Sequence, residues 1–498
     1  MEKKTKRIAL GIILTVIITF SSIGVFTILF FWNNYSIPLD AQESVNSVDP
    51  DYIFDTGDLT ESGQTEEYKA YNEWTTSLEG KVFAVQGGHD REHRRGDPYG
   101  TGFFTECNFD SPTGVLKMGN NVFILISEDR YYHQEENIWM HHITDQLHQW
   151  ISEKLAEYAV NDTNIFIFEH CPIKNTVAWS DGEWWATGND PWEKVSNRWL
   201  DLMGEYDDHI VAHVSGHIHT HYAWKDTPND TEKYGYGDGD DGIEDVGHFV
   251  NGSDKEGLPK VYFLNPQALC YTHGSAWTEF ETAAIYYYDM EQNKDQFTIK
   301  TRDIHTKKDV DSYTVKTNFP IDLGDGQINF IESKTTIVSK SETKIGKEDW
   351  LLVSKGSIVT FHKKWNLPVD NFSIEFDPED VHYTIESIEE GDNEVFMEIK
   401  FEEQAIIRDV NILPFKKNTT ENNASIENKR MVFLTDIHFD SPKNGHQFGG
   451  VQVDVLAHFG IIGKFLEKQS PIVFIIVGSF TVLLLLAVGV YIWQKKKK

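Results

Sequence analysis

Cysteine is nearly absent: Cys107, Cys171 and Cys270 are the only three in 498 residues. That excludes a disulfide framework as the source of stability; one pair at most can form, and one thiol is left over. Basic residues are also short, 45 Lys and Arg against 78 Asp and Glu, for a formal net charge of −33. Such a surface repels nucleic acid and anionic lipid, so no nucleic-acid partner is expected. It suits an acidic extracellular face, a salty medium or cation binding, and plain solubility also accounts for it. Apolar residues are not short: the chain is 40% hydrophobic and 13% aromatic, enough for sizeable cores in two or three domains.

Charge is missing altogether from two runs, Ile8 to Trp32 and Pro471 to Trp493. Each is long enough to cross a hydrocarbon layer of about 30 Å as a helix. Lys3, Lys4, Lys6 and Arg7 precede the first, and Lys495 to Lys498 follow the second. Positive charge at both outer ends predicts cytoplasmic termini and an extracytoplasmic middle, a two-helix cell-membrane protein. A cleaved signal peptide is the alternative for the first run; its length and the lack of a small-x-small cleavage site favour an anchor. Glycosylation acceptors at Asn34, Asn161, Asn229, Asn251, Asn371, Asn418 and Asn423 all fall in the part placed outside.

Between these runs, apolar strands alternate with glycine turns and amphipathic helices. Asp51 to Asp55 reads as a strand running into Gly57-Asp58, followed by a helix with Tyr68, Tyr71, Trp74 and Leu78 on one face. Lys81 to Val85 ends in Gly87-Gly88-His89-Asp90. Asn121 to Ile126 is a further strand, and Ile143, Leu147, Trp150, Ile151 and Leu155 mark a second helix. Asn164 to Phe168 ends at His170, and Ile210 to Val214 ends in Gly216-His217-Ile218-His219. This alternation predicts a layered α/β domain, in which functional groups sit in the loops beyond strand ends. Four such ends carry carboxylates or imidazoles, and two imidazoles two residues apart off a glycine turn can both face one point. Carboxylate and imidazole donors suit Mn, Fe or Zn more than Ca.

These motifs resemble the calcineurin-like metallophosphoesterase superfamily, whose pattern is Asp-x-His, Gly-Asp, Gly-Asn-His-Asp/Glu, a lone His and Gly-His-x-His, each after a strand. The resemblance covers roughly residues 45 to 305 plus a strand at 431 to 440. It implies a four-layer α/β fold, two mixed β-sheets packed face to face and flanked by helices. It also implies a metal-dependent phosphoesterase acting on phosphate mono- or diesters through a water activated by two divalent metal ions. No Asp-x-His precedes Gly57-Asp58; the candidate is Asp436-Ile437-His438 near the other end. The reading is a circular permutation that inserts this strand beside 52–55; the alternative is an ordinary strand end of a sandwich. Carried over, Asp436, His438 and His219 hold one metal, Asp58 bridges, and His170 and His217 hold the second. His89 protonates the leaving oxygen or stabilises the transition state, with Asp90 orienting it. Gly88 stands where the family has an Asn ligand, which leaves a coordination position to water, a carbonyl or another residue. That departure carries the alternative function, a catalytically impaired surface receptor or binding protein on the same fold.

Other features bear on substrate. Arg91, Arg94 and Arg95 follow the His89 turn and are candidates for clamping a phosphate, or a solvated charge run. Trp184 and Trp185 are candidates for stacking on a sugar, base or lipid head group; Trp192 and Trp199 read as helix core. The loop from Asp238 to Asp245 is acidic and glycine-rich but lacks EF-hand spacing. The expected organisation is a basic tail (1–7), a transmembrane helix (8–32), the phosphoesterase domain (33–305) and a β-sandwich (306–427) offering a surface to a protein partner. The displaced strand and motif (428–445), a juxtamembrane connection (446–470), a transmembrane helix (471–493) and a basic tail (494–498) follow.

Overall fold

The computed structural model describes residues 39–91, 102–107, 113–127, 129–133, 138–178, 180, 191–219, 225–226, 246–269, 283–340, 344–345, 351–353, 355–365, 369–377, 381–391, 394–407, 409–416, 427–437, 439–440 and 451–452. The chain divides into two units, residues 1–451 and 452–498, the second lying outside the described residues but for Gln452. The apolar runs 8–32 and 471–493 also lie outside them. No helix among the described residues is long and apolar enough to cross a membrane.

Two large mixed sheets form the body of the first unit. Their strands, in chain order, are β1 (Tyr52–Asp55), β2 (Lys81–Ala84), β3 (Gly114–Met118), β4 (Asn121–Ile126), β5 (Asn164–Glu169), β6 (Ile210–Val214), β7 (Phe249–Asn251) and β8 (Tyr262–Leu264). They continue with β9 (Ala284–Glu291), β10 (Gln296–Asp303), β11 (Asp309–Lys316), β12 (Asn329–Ser333) and β13 (Asn428–Leu434). One sheet is ordered β11-β10-β9-β13-β1-β2 and the other β7-β8-β6-β5-β4-β3-β12. β13, the most C-terminal of these strands, lies between β1 and β9. It pairs parallel with β1, Phe54 opposite Phe433, and antiparallel with β9, Tyr286 opposite Phe433.

Strand periodicity explains how the layers separate. Successive side chains on a strand point to opposite faces. In β5, Phe166 and Phe168 enter the core between the sheets, while Ile165 and Ile167 join a second core with the helices. The first core is aromatic: Phe54 stacks on Phe168 at 4.4 Å between ring centroids, and Phe168 meets Phe433 edge-on at 5.6 Å. Burying each such ring contributes roughly 1.5–3 kcal/mol, so this contact set fixes β13 in register as well as in place.

The second core is closed by α2 (Asp145–Tyr158) and α3 (Pro191–Glu205); α1 (Thr65–Thr75) precedes both in the chain. Leu147, Ile151 and Leu155 recur every fourth residue and are fully buried, a single helical face. Thr144 caps α2, its hydroxyl accepting the Leu147 N–H at 3.0 Å.

The sandwich expected over 306–427 begins later. Asp309–Lys316 pairs with β10 and Asn329–Ser333 with β3, so both complete the large sheets. β11 and β12 are edge strands, mostly polar or half-exposed, and edge strands carry no signal that separates one sheet from the next domain. After Ser333 comes the β module, a four-stranded sheet including Ile358–Lys364 and Glu394–Phe401 around its own core of Val359, Phe361, Trp365, Met397, Ile399 and Phe401.

Candidate metal centre

The strand ends of β1, β2, β5, β6 and β13 all open on one cluster. The loops are tied to each other by main-chain bonds: Thr56 N–H donates to Leu434 O, Asp436 N–H to Gly57 O, and Gly216 N–H to His170 O, at 3.0, 3.0 and 2.7 Å. Parallel strands leave their C-terminal peptide groups unpaired, and here the neighbouring loops satisfy them.

Asp58 is buried, its Oδ1 accepting the His89 N–H at 2.8 Å and its Oδ2 lying 3.2 Å from His170 Nε2. His170 Nδ1 donates to the Thr56 carbonyl at 2.9 Å; a carbonyl only accepts, so this nitrogen carries the proton and Nε2 keeps its lone pair free for a cation. Nε2 also lies 3.1 Å from His217 Nδ1. Asp436 accepts the His217 N–H on both oxygens, at 3.0 and 2.9 Å, and the Thr435 hydroxyl at 2.6 Å. His219 Nε2 is 3.5 Å from Asp436 Oδ1. Burial opposes ionisation of Asp436, but His219 and then His170 outweigh it and hold the carboxyl below its usual range.

The backbone is strained where these side chains leave it. Nine non-glycine residues among those described have positive φ, and Asp58, His217, His219 and Asp436 are four of them, at 53°, 75°, 56° and 50°. Each costs of order 1–3 kcal/mol and persists only where the surroundings impose it. Glycine makes the close approach workable: a Cβ on Gly87 would sit 2.2 Å from Asp58 Oδ1 and 2.8 Å from His170 Cε1. A Cβ on Gly216 would sit 2.0 Å from Thr435 Oγ1 and 2.9 Å from Asp436 Oδ2.

Among the described residues two donor groups are close enough to hold a cation, each with all its ligand atoms within 4.8 Å of one another: Asp58, His170 and Asp436, and His170, Cys171 and His217. Two buried carboxylates crowded together with imidazoles fit a divalent metal, because buried charge needs a partner of opposite sign. Neutral imidazole with carboxylate is the donor set of Zn, Mn or Fe.

Further buried carboxylates surround the cluster, Asp90, Asp55 and Glu169 among them. Asp90 accepts the Gly87, Leu59 and Thr60 N–H groups and the Thr60 hydroxyl, at 2.8 to 3.2 Å. Burial and the nearby Asp58 charge push it up to about 6. Its oxygens brace the two loops against each other. The His89 ring donates from Nδ1 to the Glu61 carbonyl at 2.8 Å, with Glu61 Oε1 at 4.0 Å. Asp55, raised by burial to about 7, accepts the Tyr71 hydroxyl at 2.7 Å and the Gly57 N–H at 3.1 Å. Glu169, raised by burial to about 8, is bonded at 2.8 Å to both Trp199 Nε1 and His213 Nε2.

The structure thus brings together Asp58, His89, Asp90, His170, His217, His219 and Asp436. His438, Arg94, Arg95, Trp184, Trp185, Cys270 and the acidic loop 238–245 lie outside the described residues, as does the side chain of Arg91. Cys107 and Cys171 are both buried and both outside any disulfide, so these two do not form the one bridge the count allowed. Asn265, expected from the resemblance to help close the cleft, donates its amide to Ser215 Oγ at 3.2 Å and Gly216 O at 2.5 Å. Sequence reasoning gave no role to Glu61, Cys171 or Glu169; of these Glu169 had a signal to find it by, a lone carboxylate ending the apolar run from Ile165.

Fold and cluster define a class: a two-sheet α/β protein with a histidine–carboxylate centre built at strand ends. No family model matches the chain. A curated relative, a probable glycerophosphodiester phosphodiesterase of Arcobacter nitrofigilis, is 24% identical over 181 residues, 34% of this chain and 57% of that protein. The match spans little more than half of that relative's length. Among solved structures, a dimetal phosphatase from Danio rerio superposes with a TM-score of 0.36 at 12% identity, over 56% of this chain and 88% of that one. A purple acid phosphatase from yellow lupin seeds gives 0.32 at 14% identity, over 56% of this chain and 49% of that one. At these TM-scores the superpositions say nothing about function.

Proposed function

We propose that the chain is a metal-dependent phosphoesterase that hydrolyses phosphate mono- or diesters. The carrying observation is the convergence of Asp58, His170, His217, His219 and Asp436, four of them on positive-φ backbone, at the ends of parallel strands. Strain of that kind is kept where a site requires it. Asp58, His170 and His217 would hold one cation, and Asp58, Asp436 and His219 the other, with His438 the further ligand that the resemblance implies. A bound pair of divalent ions supplies Lewis acidity for the phosphoryl oxygens and lowers the pKa of the attacking water. The chain's own share is positioning: Asp436 and Thr56 fix the ligand loops, and His89 stands at the rim to give a proton to the leaving oxygen. The 24% identity to a probable glycerophosphodiester phosphodiesterase supports this class of substrate.

The proposal includes a permuted chain order, in which the strand ending in Asp436 stands in for a first strand, and anchorage by the runs 8–32 and 471–493 with the sites outside the cell. The test is hydrolysis of an aryl phosphate ester panel with Mn or Zn, against Asp58→Ala. Metal-dependent turnover no greater than that of the variant would sink the reading.

One observation favours a second reading, a surface binding protein on the same fold. Gly88 offers no donor on the rim where a ligand side chain would complete one cation's shell. Less than one tightly bound transition metal per purified chain would favour it.

A further inference from the structure

We propose that Cys171 supplies a sulfur donor to the cation held by His170 and His217, making that half of the centre prefer zinc to manganese. This rests on the reading of the cluster as a metal centre and names one of its ligands.

β5 ends at Glu169, and His170 and Cys171 lie in the bend beyond it. Strand alternation no longer separates their side chains, and Pro172 stops the strand from resuming. The Cys171 sulfur and the donor atoms of His170 and His217 lie within 4.8 Å of one another. Tetrahedral zinc sets a sulfur and a nitrogen ligand atom about 3.6 Å apart, so side-chain rotations that draw these atoms together by about 1 Å complete the site. Cys171 is 2% exposed and His170 0%, so the sulfur is shielded beside the imidazole rather than set at the surface. It forms no disulfide. His170 keeps Nε2 for ligation because Nδ1 is committed to Thr56. On the same rim Gly88 has no side chain to give.

Thiolate is a soft donor, so its presence separates zinc from manganese where carboxylate and imidazole alone do so less. On ligation the S–H bond breaks, sulfur keeps the electron pair and donates it to the cation, and the proton leaves to solvent. No oxidant enters. The competing account is a buried cysteine that fills space as a small hydrophobe.

Cobalt(II) titration of the full chain, with bound metal quantified, separates the two. A near-ultraviolet sulfur-to-cobalt charge-transfer band is expected in the wild type and in C107S and C270S, and its loss in C171S. Zinc-over-manganese preference in competition should fall by tenfold or more in C171S. Zinc-edge X-ray absorption of the wild type needs no substitution: a sulfur shell near roughly 2.3 Å supports the ligand, and an all-nitrogen-and-oxygen shell overturns it. Cobalt bound without the band, or a band that survives in C171S, overturns this inference and leaves the metal centre standing. A chain that binds no cobalt overturns both.

Discussion

The carboxylate of Asp436 accepts the main-chain N–H of His217 at 2.9 and 3.0 Å, joining residues 219 positions apart. The bond holds the positive-φ turn that carries His217 and His219, and the same carboxylate faces His219. Charge and hydrogen bonding can be separated at this residue. Asp436→Asn keeps an oxygen for the His217 N–H but removes the charge a cation needs. The expected outcome is a folded protein whose metal affinity falls by at least about tenfold, read by chelator competition. Unchanged affinity would take Asp436 out of the centre.

Glycine at position 87 is a steric condition of the site. Gly87→Ala places a Cβ 2.2 Å from Asp58 Oδ1 and 2.4 Å from its N. The backbone N cannot swing away and Oδ1 is held by the His89 N–H, so the loop must move. A stability loss of about 1–3 kcal/mol is expected, together with loss of bound metal. Gly204, on α3 with nothing within 4 Å of an added Cβ, is the control. Gly204→Ala should stabilise by about 0.4–1 kcal/mol and leave metal content alone. Equal denaturation midpoints for the two variants would contradict the steric argument.

Much of the scaffold was legible because β1, β4, β5 and β6 are apolar runs broken by glycine or by a polar residue at the end. A buried strand needs the run and a site-bearing turn needs the break, so Gly57-Asp58, Gly87-Gly88-His89 and Gly216-His217 stood out. The layered α/β domain follows from that alternation, and the two mixed sheets from the family resemblance. β11 and β12 were misassigned to the sandwich because an edge strand with a polar outer face reads alike in either place. Asp90 has a role that adjacency to His89 did not show: the turn of residues 89–91 aims the carboxylate back at the Gly87, Leu59 and Thr60 amides. Sequence order shows which groups share a loop and not which way each one points. Cys171 was hidden likewise, since its nearness to His217 arises between β5 and β6.

Asp55 makes stability depend on pH. Burial raises its pKa to about 7, above an ordinary value near 4 for the unfolded chain. A carboxyl raised on folding contributes stability that is fully present below the unfolded pKa and is lost as pH rises through the folded one. The Asp55 contribution to stability should therefore fall between about pH 4 and pH 7, by an amount of order a few kcal/mol. Asp55→Asn cannot titrate, so its denaturant midpoint should fall less steeply over that range, the raised Asp90 and Glu169 supplying the slope that remains. Parallel pH profiles for the two proteins would show that Asp55 stays ionised in the fold.

His89 tests the division of labour at the rim. Its Nδ1 donates to the Glu61 carbonyl at 2.8 Å, which fixes the tautomer and reserves Nε2 for another partner. The side chain is 40% exposed, unlike the buried His170, and it reaches the cluster through its main-chain N–H to Asp58. Removing the imidazole should therefore spare metal binding and reduce proton donation. His89→Ala is expected to lower kcat by about 10²–10⁴ with KM and metal stoichiometry near wild type. The loss should be smallest for aryl esters with acidic leaving groups, which depart without a proton, and largest for alkyl esters. A loss of activity that tracks a loss of metal, or one indifferent to the leaving group, would move His89 from proton donor to a structural part of the Asp58 loop.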